Sequence, residues 1–395
     1  MKKTAIILSG LLVMEALACR FNVRDVGFVD LGSAVYKLFL FVPNDTTSAD
    51  IDSLKSIAFA TYLDSNVKAE VLTFGSADKA GIAEFLPLIK DRAQAVLVSP
   101  NEKRTVSVEV TSKNQPLPVS AWDGLESVFD SPRRNAVLSK VYEHYGVVLI
   151  VEGKNASENI RIRKMADSVV KSITGKMDKL EKEIREPPVL ELITAKDFAG
   201  ERAFLWSLGI TEIAETPQVA VLYGRGRIIG PVLHDERLDE RALTAIVNTI
   251  GLNCECGLDR KWMQGPMIPL KWDDDVQKRM AQQLGFDPES PAIRLEMSQI
   301  LSKGGKGQGA NRQTPIGGTL DDLLMGYREG SLTAVATTPE EESLKATEPS
   351  KTVKPIPSPP KPQVGFSVFG WVLMGGLPIL IVGGVILLLG HKRDS

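Results

Sequence analysis

The sequence has little of the chemistry that marks most enzymes and nucleic-acid-binding proteins. Its 395 residues include only three cysteines and three histidines, and 47 Lys and Arg stand against 49 Asp and Glu. With a net charge of −2, the chain has no basic surplus to neutralise a phosphate backbone. The cysteines are too few for a disulfide scaffold and the histidines too few for a His-rich metal site. We therefore expect no nucleic-acid partner, no cofactor and no resident metal.

Motifs of the common hydrolases are also absent. The chain contains no GxSxG, no HExxH and no Ser-x-x-Lys motif with its partner motifs, so the usual serine and zinc nucleophile arrangements are excluded. The sequence assigns no catalytic residue. An enzyme with an unrecognised site in a cleft of the fold stays an alternative to a binding protein.

The N-terminus has the pattern of a secretory signal peptide over residues 1–18. Lys2 and Lys3 precede a short apolar stretch, and Ala16-Leu17-Ala18 forms a small-residue cleavage site. Cys19 follows directly, and Ala16-Leu17-Ala18-Cys19 is similar to the lipidation box of bacterial lipoproteins. Leu17 stands one position late in that box and Glu15 intrudes. Lipidation of Cys19 and a free Cys19 are therefore both left open.

The C-terminal region predicts a membrane anchor on a stalk. Residues 366–390 carry no charge and are long enough to cross a ~30 Å hydrocarbon core at ~1.5 Å per residue, which predicts a transmembrane helix. The tail at 391–395 contains Lys392 and Arg393, which the positive-inside bias places in the cytoplasm. Residues 302–365 form a low-complexity, Pro-rich linker, which we expect to be a disordered stalk. The body is then extracytoplasmic, on a single-pass protein of the cell membrane.

The exported body is predicted to be α/β, with the order βαβαββα occurring twice. Buried-type strands alternate with helical stretches from Lys37, and the same order returns from Gly146. In the second half, the first predicted helix runs from Ala156 to Ile184. A repeat of about one hundred residues is a domain duplication, since it is too long for a solenoid unit. We predict a degenerate first domain over residues 19–135, a second domain over 136–252, and an extension with helices over 253–301.

The second half resembles the later part of a thioredoxin domain. Leu208-Gly209-Ile210 forms a Gly-Ile turn, Thr216-Pro217 precedes a strand, and Gly224-Arg225-Gly226 forms the tip of a hairpin. The resemblance covers about residues 146–251, and more faintly residues 37–129. It implies two tandem thioredoxin-like domains and a cis peptide bond before Pro217, a form that costs little only before proline.

The chain lacks the active-site cysteines that are typical of that family. Thioredoxins carry Cys-x-x-Cys where the first strand meets the first helix, but this chain has Gly153-Lys154-Asn155-Ala156-Ser157-Glu158 there. The first half has Asn44 to Ser48 at the equivalent place, also without cysteine. Thiol exchange needs a thiolate, whereas Asn155 fits the N-cap of a helix. The resemblance therefore implies the fold without its usual activity.

Two cysteines do occur one residue apart, in Asn253-Cys254-Glu255-Cys256-Gly257. The favoured interpretation is a tight disulfide between Cys254 and Cys256, which would be strained and easily reduced. As reduced thiolates near Met263 and Met267, they would instead suit Cu(I). No histidine lies close to them in the sequence.

These features together predict a membrane-tethered, extracytoplasmic (periplasmic) binding or scaffold protein. Its thioredoxin-like domains are expected to be redox-inactive, and its partner is expected to be a protein in or at the membrane, as for an accessory of a membrane complex. The alternative function is an extracytoplasmic thiol-redox or copper-handling protein that uses Cys254 and Cys256.

Overall fold

The structure, a computed structural model, describes residues 20–32, 34–77, 81–87, 91–253 and 260–304. The predicted signal peptide, Cys19, Cys254, Cys256, the linker from residue 305 on, and the predicted membrane helix and tail lie outside these ranges. Within the ranges, no helix combines the length and the apolar character that a membrane crossing requires.

The first half is a mixed four-stranded sheet covered on both faces. The short helix α1 (Val23–Phe28) precedes it in the chain. The elements of the first half are β1 (Tyr36–Val42), α2 (Ser48–Tyr62), β2 (Val67–Thr73), α3 (Phe74–Ala77), a 3-10 turn (Ala83–Phe85), β3 (Gln94–Val98), β4 (Thr105–Val108) and α4 (Leu117–Glu126). The strand order is β2-β1-β3-β4. β1 is parallel to β2 and antiparallel to β3, and β3 is antiparallel to β4.

Strand β1 is apolar throughout because both of its faces are buried. Leu38 and Leu40 pack in a cluster with residues of α2 and α4. On the opposite face, the ring of Phe39 stacks on Phe85 at 5.6 Å between centroids, and Phe41 stacks on Phe74 at 6.0 Å. A continuous run of large apolar residues is typical of a strand covered on both sides.

The second half repeats the same arrangement. Its elements are α5 (Pro132–Glu143), β5 (Val147–Val151), α6 (Ala156–Thr174), β6 (Val189–Ile193), α7 (Arg202–Ser207), β7 (Gln218–Tyr223), β8 (Arg227–Ile228) and α8 (Glu240–Thr249). The strand order is β6-β5-β7-β8, with β5 parallel to β6 and antiparallel to β7. The prediction of an α/β body built from two similar sheets is confirmed.

The sequence-based boundaries differ from the structure at two helices. The predicted helix from Ala156 to Ile184 is too long: α6 ends at Thr174 and Gly175 caps it. Glycine favours an end to the helix, and the chain then turns back so that Ile184 is buried in the core. Helix α5, which the sequence analysis did not predict, runs across the expected domain boundary at residues 135 and 136.

The segment before the first sheet packs in the core of the second half. Phe21, Val23, Val26 and Val29 belong to the cluster that contains strand and helix residues of that half. Helix α1 begins with a capping box, in which Asn22 accepts from the backbone of Asp25 and the Asp25 carboxylate accepts from the backbone of Asn22. The capping box stabilises the first turn of this six-residue helix. Packing against the core stabilises the remainder, because so short a helix would not be stable alone.

The chain after α8 also packs on the second half. It contains α9 (Arg260–Met263), α10 (Asp274–Leu284) and α11 (Pro291–Gly304). Met263, Met297 and Leu301 join the cluster that holds the N-terminal segment, whereas Met267 and Leu270 join the cluster on the other face of the sheet. Both faces of the second sheet are thus covered partly by residues from outside its own strand and helix repeat.

Arg227 fastens these added segments to the second sheet. Its side chain is 1% exposed, and Nε donates to the carbonyl oxygen of Gly27 at 2.9 Å. Nη1 donates to Gly265 at 3.0 Å and Nη2 donates to Val29 at 3.1 Å. One guanidinium therefore satisfies buried carbonyl groups from the segment before the first sheet and from the segment after α9.

Two further buried arginines, Arg24 and Arg134, also donate hydrogen bonds to backbone carbonyls, including carbonyls of segments that are distant in the sequence. Arg24 of α1 donates from Nε to the carbonyl of His144 at 2.9 Å and from Nη2 to the carbonyl of Tyr142 at 2.9 Å. These carbonyls lie at the C-terminal end of α5, where helix carbonyls lack partners within the helix. Arg134 donates to the carbonyls of Phe129 and Pro269. Burial lowers the pKa of Arg24 and of Arg134 to about 10, so both stay charged near neutral pH.

Replacing Arg227 by methionine is expected to destabilise the full chain by about 3 kcal/mol, because three buried carbonyl groups lose a charged donor. Urea denaturation of the protein in mild detergent, followed by tryptophan fluorescence, measures the loss. The matched control is Arg241→Met on the exposed side of α8, which should change the free energy of unfolding by less than about 0.5 kcal/mol. Equal effects of the two substitutions would contradict the role given to Arg227.

Candidate functional site

The loop between β5 and α6 is the place that the sequence resemblance equates with the thiol motif of thioredoxins. Here the Asn155 side-chain oxygen accepts hydrogen bonds from the backbone N–H of Ser157 at 3.0 Å and of Glu158 at 3.2 Å. Asn155 is thus the N-cap of α6, as the sequence predicts. Its carboxamide satisfies two of the helix's free N–H groups, and it offers no nucleophile.

Backbone contacts hold this loop against the segment before β7. The N–H of Lys154 donates to the carbonyl of Ala214 at 3.0 Å, and the N–H of Asn155 donates to that of Glu215 at 3.0 Å. Gly153 lies so close to the same segment that a Cβ there would be 2.5 Å from the carbonyl carbon of Thr216. Only glycine allows this approach, so the loop has a fixed shape.

The predicted cis bond before Pro217 is wrong. No peptide bond in the described residues is cis, so Thr216 and Pro217 are joined by a trans bond. An X–Pro bond prefers trans by about 0.5–1 kcal/mol unless its surroundings require cis. Here the carbonyls of Ala214 and Glu215 already meet the Lys154 and Asn155 amides. The hairpin that follows is confirmed, since β7 and β8 are antiparallel.

A polar cluster lies beside the loop. The Thr216 hydroxyl donates to Asp235 Oδ1 at 2.5 Å, and His234 Nδ1 lies 2.8 Å from Asp235 Oδ2. The hydroxyl of Thr216, followed by His234, holds the pKa of the Asp235 carboxyl below its ordinary value. The carboxylate stands between hydroxyl and imidazole, whereas a nucleophilic triad needs the imidazole in the middle. The cluster therefore does not activate Thr216.

The equivalent place in the first half is also occupied by capping interactions. The Thr47 hydroxyl accepts from the backbone of Asp50 at 3.1 Å at the start of α2. Asn44 Oδ1 accepts from the backbone N–H of Gly75 at 2.7 Å. Neither half has a thiol or another activated nucleophile at this position within the described chain.

No group of three or more His, Cys, Asp or Glu side chains that could hold a metal ion occurs in the part of the chain that the structure describes. Cys254 and Cys256 lie outside that part, but their neighbour Asn253 does not. Asn253 forms an antiparallel bridge with Asn22, and the N–H of Val23 donates to the carbonyl of Leu252 at 2.9 Å. The described residues next to Cys254 and those shortly after Cys19 are therefore direct neighbours.

The first half exposes large apolar side chains that the sequence analysis missed. Phe59 of α2 is 68% exposed and Leu63, the residue that caps the end of α2, is 60% exposed. Val119 and Trp122 of α4 are 49% and 47% exposed. In α2 the residues that face the core include Leu54 and Ala58. The sequence signal that could have predicted them is that these helices have apolar residues outside the single stripe that faces the core. Exposed apolar residues of this kind are typical of a contact surface.

Phe59 and Leu63 overhang a groove of about 690 Å³ between α2 and the outer strand β2. Lys55, Ala58 and Tyr62 complete the helix side of the groove, and residues 67–71 form its strand side. Val119 and Trp122 do not line it. The first half therefore exposes two apolar pairs, of which only Phe59 and Leu63 line the groove.

Comparisons with known proteins give structural neighbours only. Human ERp44 in its zinc-bound form matches with 9% identity and a TM-score of 0.20, over 56% of this chain and 56% of the ERp44 chain. The bb fragment of ERp72 matches with 16% identity and a TM-score of 0.20, over 56% of this chain and 90% of that fragment. No family model and no curated protein matches the chain. The two halves share one strand order and one set of strand directions.

Substituting Gly153 by alanine is expected to lower the free energy of unfolding by roughly 1–3 kcal/mol, since the new methyl group would collide with backbone rather than with a movable side chain. Gly200→Ala is the control, because its Cβ would meet its nearest neighbour, the Asp197 carbonyl oxygen, at an ordinary 3.6 Å. Chemical denaturation of both variants checks the difference. A stable Gly153→Ala protein would show that the loop can move away from residues 214–216.

Proposed function

We propose that the protein is a membrane-tethered, extracytoplasmic binding or scaffold protein, accessory to a membrane complex. The observation that carries the proposal is the Asn155 cap, which puts a bonded carboxamide where thiol chemistry would need a thiolate. The signal peptide and C-terminal helix predicted from the sequence support the location. With no activated nucleophile at either loop, binding is the role that the rest of the surface supports best.

The surface that we propose for the partner is the pair Val119 and Trp122 on α4. The two residues are three apart and so are neighbours on one side of the helix. Both are about half exposed, and tryptophan is among the residues that most often dominate protein–protein binding energy. A protein partner would cover this pair and shield it from water.

Site-specific photo-crosslinking in cells tests this proposal. A benzophenone amino acid at Val119 is expected to give a discrete crosslinked product, whereas the same label at Ile160, an exposed apolar residue of α6, is expected to give none. Adding Trp122→Ala should lower the yield, since losing a dominant residue of about 2 kcal/mol weakens binding roughly 30-fold. Equal products from Val119 and Ile160, or none from Val119, would argue against this surface.

A second candidate, thiol-redox or copper handling by Cys254 and Cys256, is favoured by one observation. The bridge between Asn22 and Asn253 joins the described neighbours of Cys19 and of Cys254. A thiol site formed by Cys254 and Cys256 would therefore begin directly after a residue that is paired with the N-terminal segment.

Disulfide mapping and metal analysis distinguish the two candidates. For the binding protein, we expect that the full chain, purified without reductant, shows no insulin-type reductase turnover above buffer and no stoichiometric copper. Turnover that is lost in Cys254→Ser or Cys256→Ser would favour the second candidate. Mass spectrometry of the N-terminal peptide also reports whether Cys19 is lipidated, which would remove it from any thiol site.

A further inference from the structure

Strand β2 has one free edge. It is the first strand in the order β2-β1-β3-β4, and β1 is its partner on one side over Val67–Thr73. Among the described residues, no strand pairs with the other side. The backbone N–H and C=O groups on such an edge are a ready template for another strand, and the groove beside α2 runs along it.

The side chains of this edge are complementary to themselves. Val67, Ala69 and Val71 face the α2 side of the sheet, so Lys68 and Glu70 lie on the opposite face, where both are exposed. If two copies of β2 pair antiparallel about a two-fold axis at Ala69, Lys68 of each copy stands directly opposite Glu70 of the other. Opposite charges at directly opposed positions stabilise a strand pair, and this symmetry supplies two such pairs.

The neighbouring strand adds to this charge complementarity. Lys68 is in register with Lys37 of β1, so two cations are adjacent on the same face. Lys37 has Glu102 as its ion-pair partner, whereas Lys68 and Glu70 have no ion-pair partner among the described residues. A carboxylate from a second copy would compensate the charge of Lys68.

Register is fixed by the same charges. An axis at Glu70 instead of Ala69 would place the two Glu70 side chains opposite each other, and like charges there destabilise the pair. The axis at Ala69 also sets Val67 opposite Val71 on the α2 side. There Phe59 and Leu63 of each copy overhang the groove, so the pairing would cover the most exposed apolar side chains of the first half.

We propose that the protein forms a two-fold symmetric homodimer by antiparallel pairing of β2 about Ala69, which joins the first sheets of two copies into one continuous sheet. The interface is self-complementary, as a two-fold contact requires. It uses the β2 edge and the α2 overhang, and leaves the Val119 and Trp122 surface of α4 free. The dimer proposal and the partner proposal use different residues, so one can be disproved without the other.

Charge reversal tests the register. Lys68→Glu and Glu70→Lys each put like charges opposite each other at both pairs, so each variant alone is expected to dimerise at least about tenfold more weakly than the wild type. An equimolar mixture of the two variants restores opposite charges at both pairs, and so does the double variant. Both are expected to dimerise about as tightly as the wild type. Sedimentation of the full chain in detergent, with one variant fluorescently labelled, measures this.

The control is a charge reversal far from β2 in the sequence. Lys278→Glu reverses an exposed charge on α10 and should leave the dimer unchanged. A monomeric wild type would overturn the proposal. The same dimer affinity in wild type and in both single variants would also overturn it, and would assign association to another region, such as the predicted membrane helix. Recovery in the mixed sample shows that the single variants are folded.

Discussion

The buried guanidinium that donates to backbone carbonyls is the interaction on which this architecture depends. Two stretches outside the strands of the second half, residues 22–30 and 264–272, pack against it, and the carbonyl groups of Gly27, Val29 and Gly265 in them accept hydrogen bonds from Arg227. A buried carbonyl without a donor costs about 1–3 kcal/mol, and arginine offers five N–H donors on one rigid group. Arg227 uses three of its N–H directions on three separate carbonyls. Irregular backbone can therefore be buried here.

This arrangement makes the two halves unequal although their sheets are alike. The second half is enclosed by the N-terminal segment on one face and by residues 267–284 on the other. Among the residues that the structure describes, the first half has no comparable cover from outside its own elements, and its helices α2 and α4 and the β2 edge stay open. The apolar side chains exposed on its surface follow from that difference. The less covered half also carries the surfaces that we propose for contact with a partner and with a second copy.

The strands and longer helices could be predicted from the sequence because their signals are local. The second set of elements begins where the sequence predicts it, with the apolar strand Val147–Val151 directly after Gly146, and the Asn155 cap needs only its own neighbours. Helix α1 has a local capping signal in Asn22 and Asp25, but its Arg24 is buried and donates to the carbonyls of Tyr142 and His144, partners that no local pattern predicts. The trans bond at Pro217 and the exposed positions of Phe59 and Trp122 likewise depend on which segments cover them, which periodicity does not encode.

The packing of α1 has a consequence for the order of events during synthesis. The cluster around Val23 and Val26 also contains Ile293, Met297 and Leu301, so it joins the beginning of the described chain to its end. Contacts of such wide sequence separation form late, since the intervening chain must be complete before its ends can meet. Most residues of the first half's cluster lie between Tyr36 and Phe129 and are available much earlier. The emerging chain therefore holds a nearly finished first sheet before residues 21–29 find their partners, since even the earliest of the bonded partners of Arg24, Tyr142, comes 118 positions later.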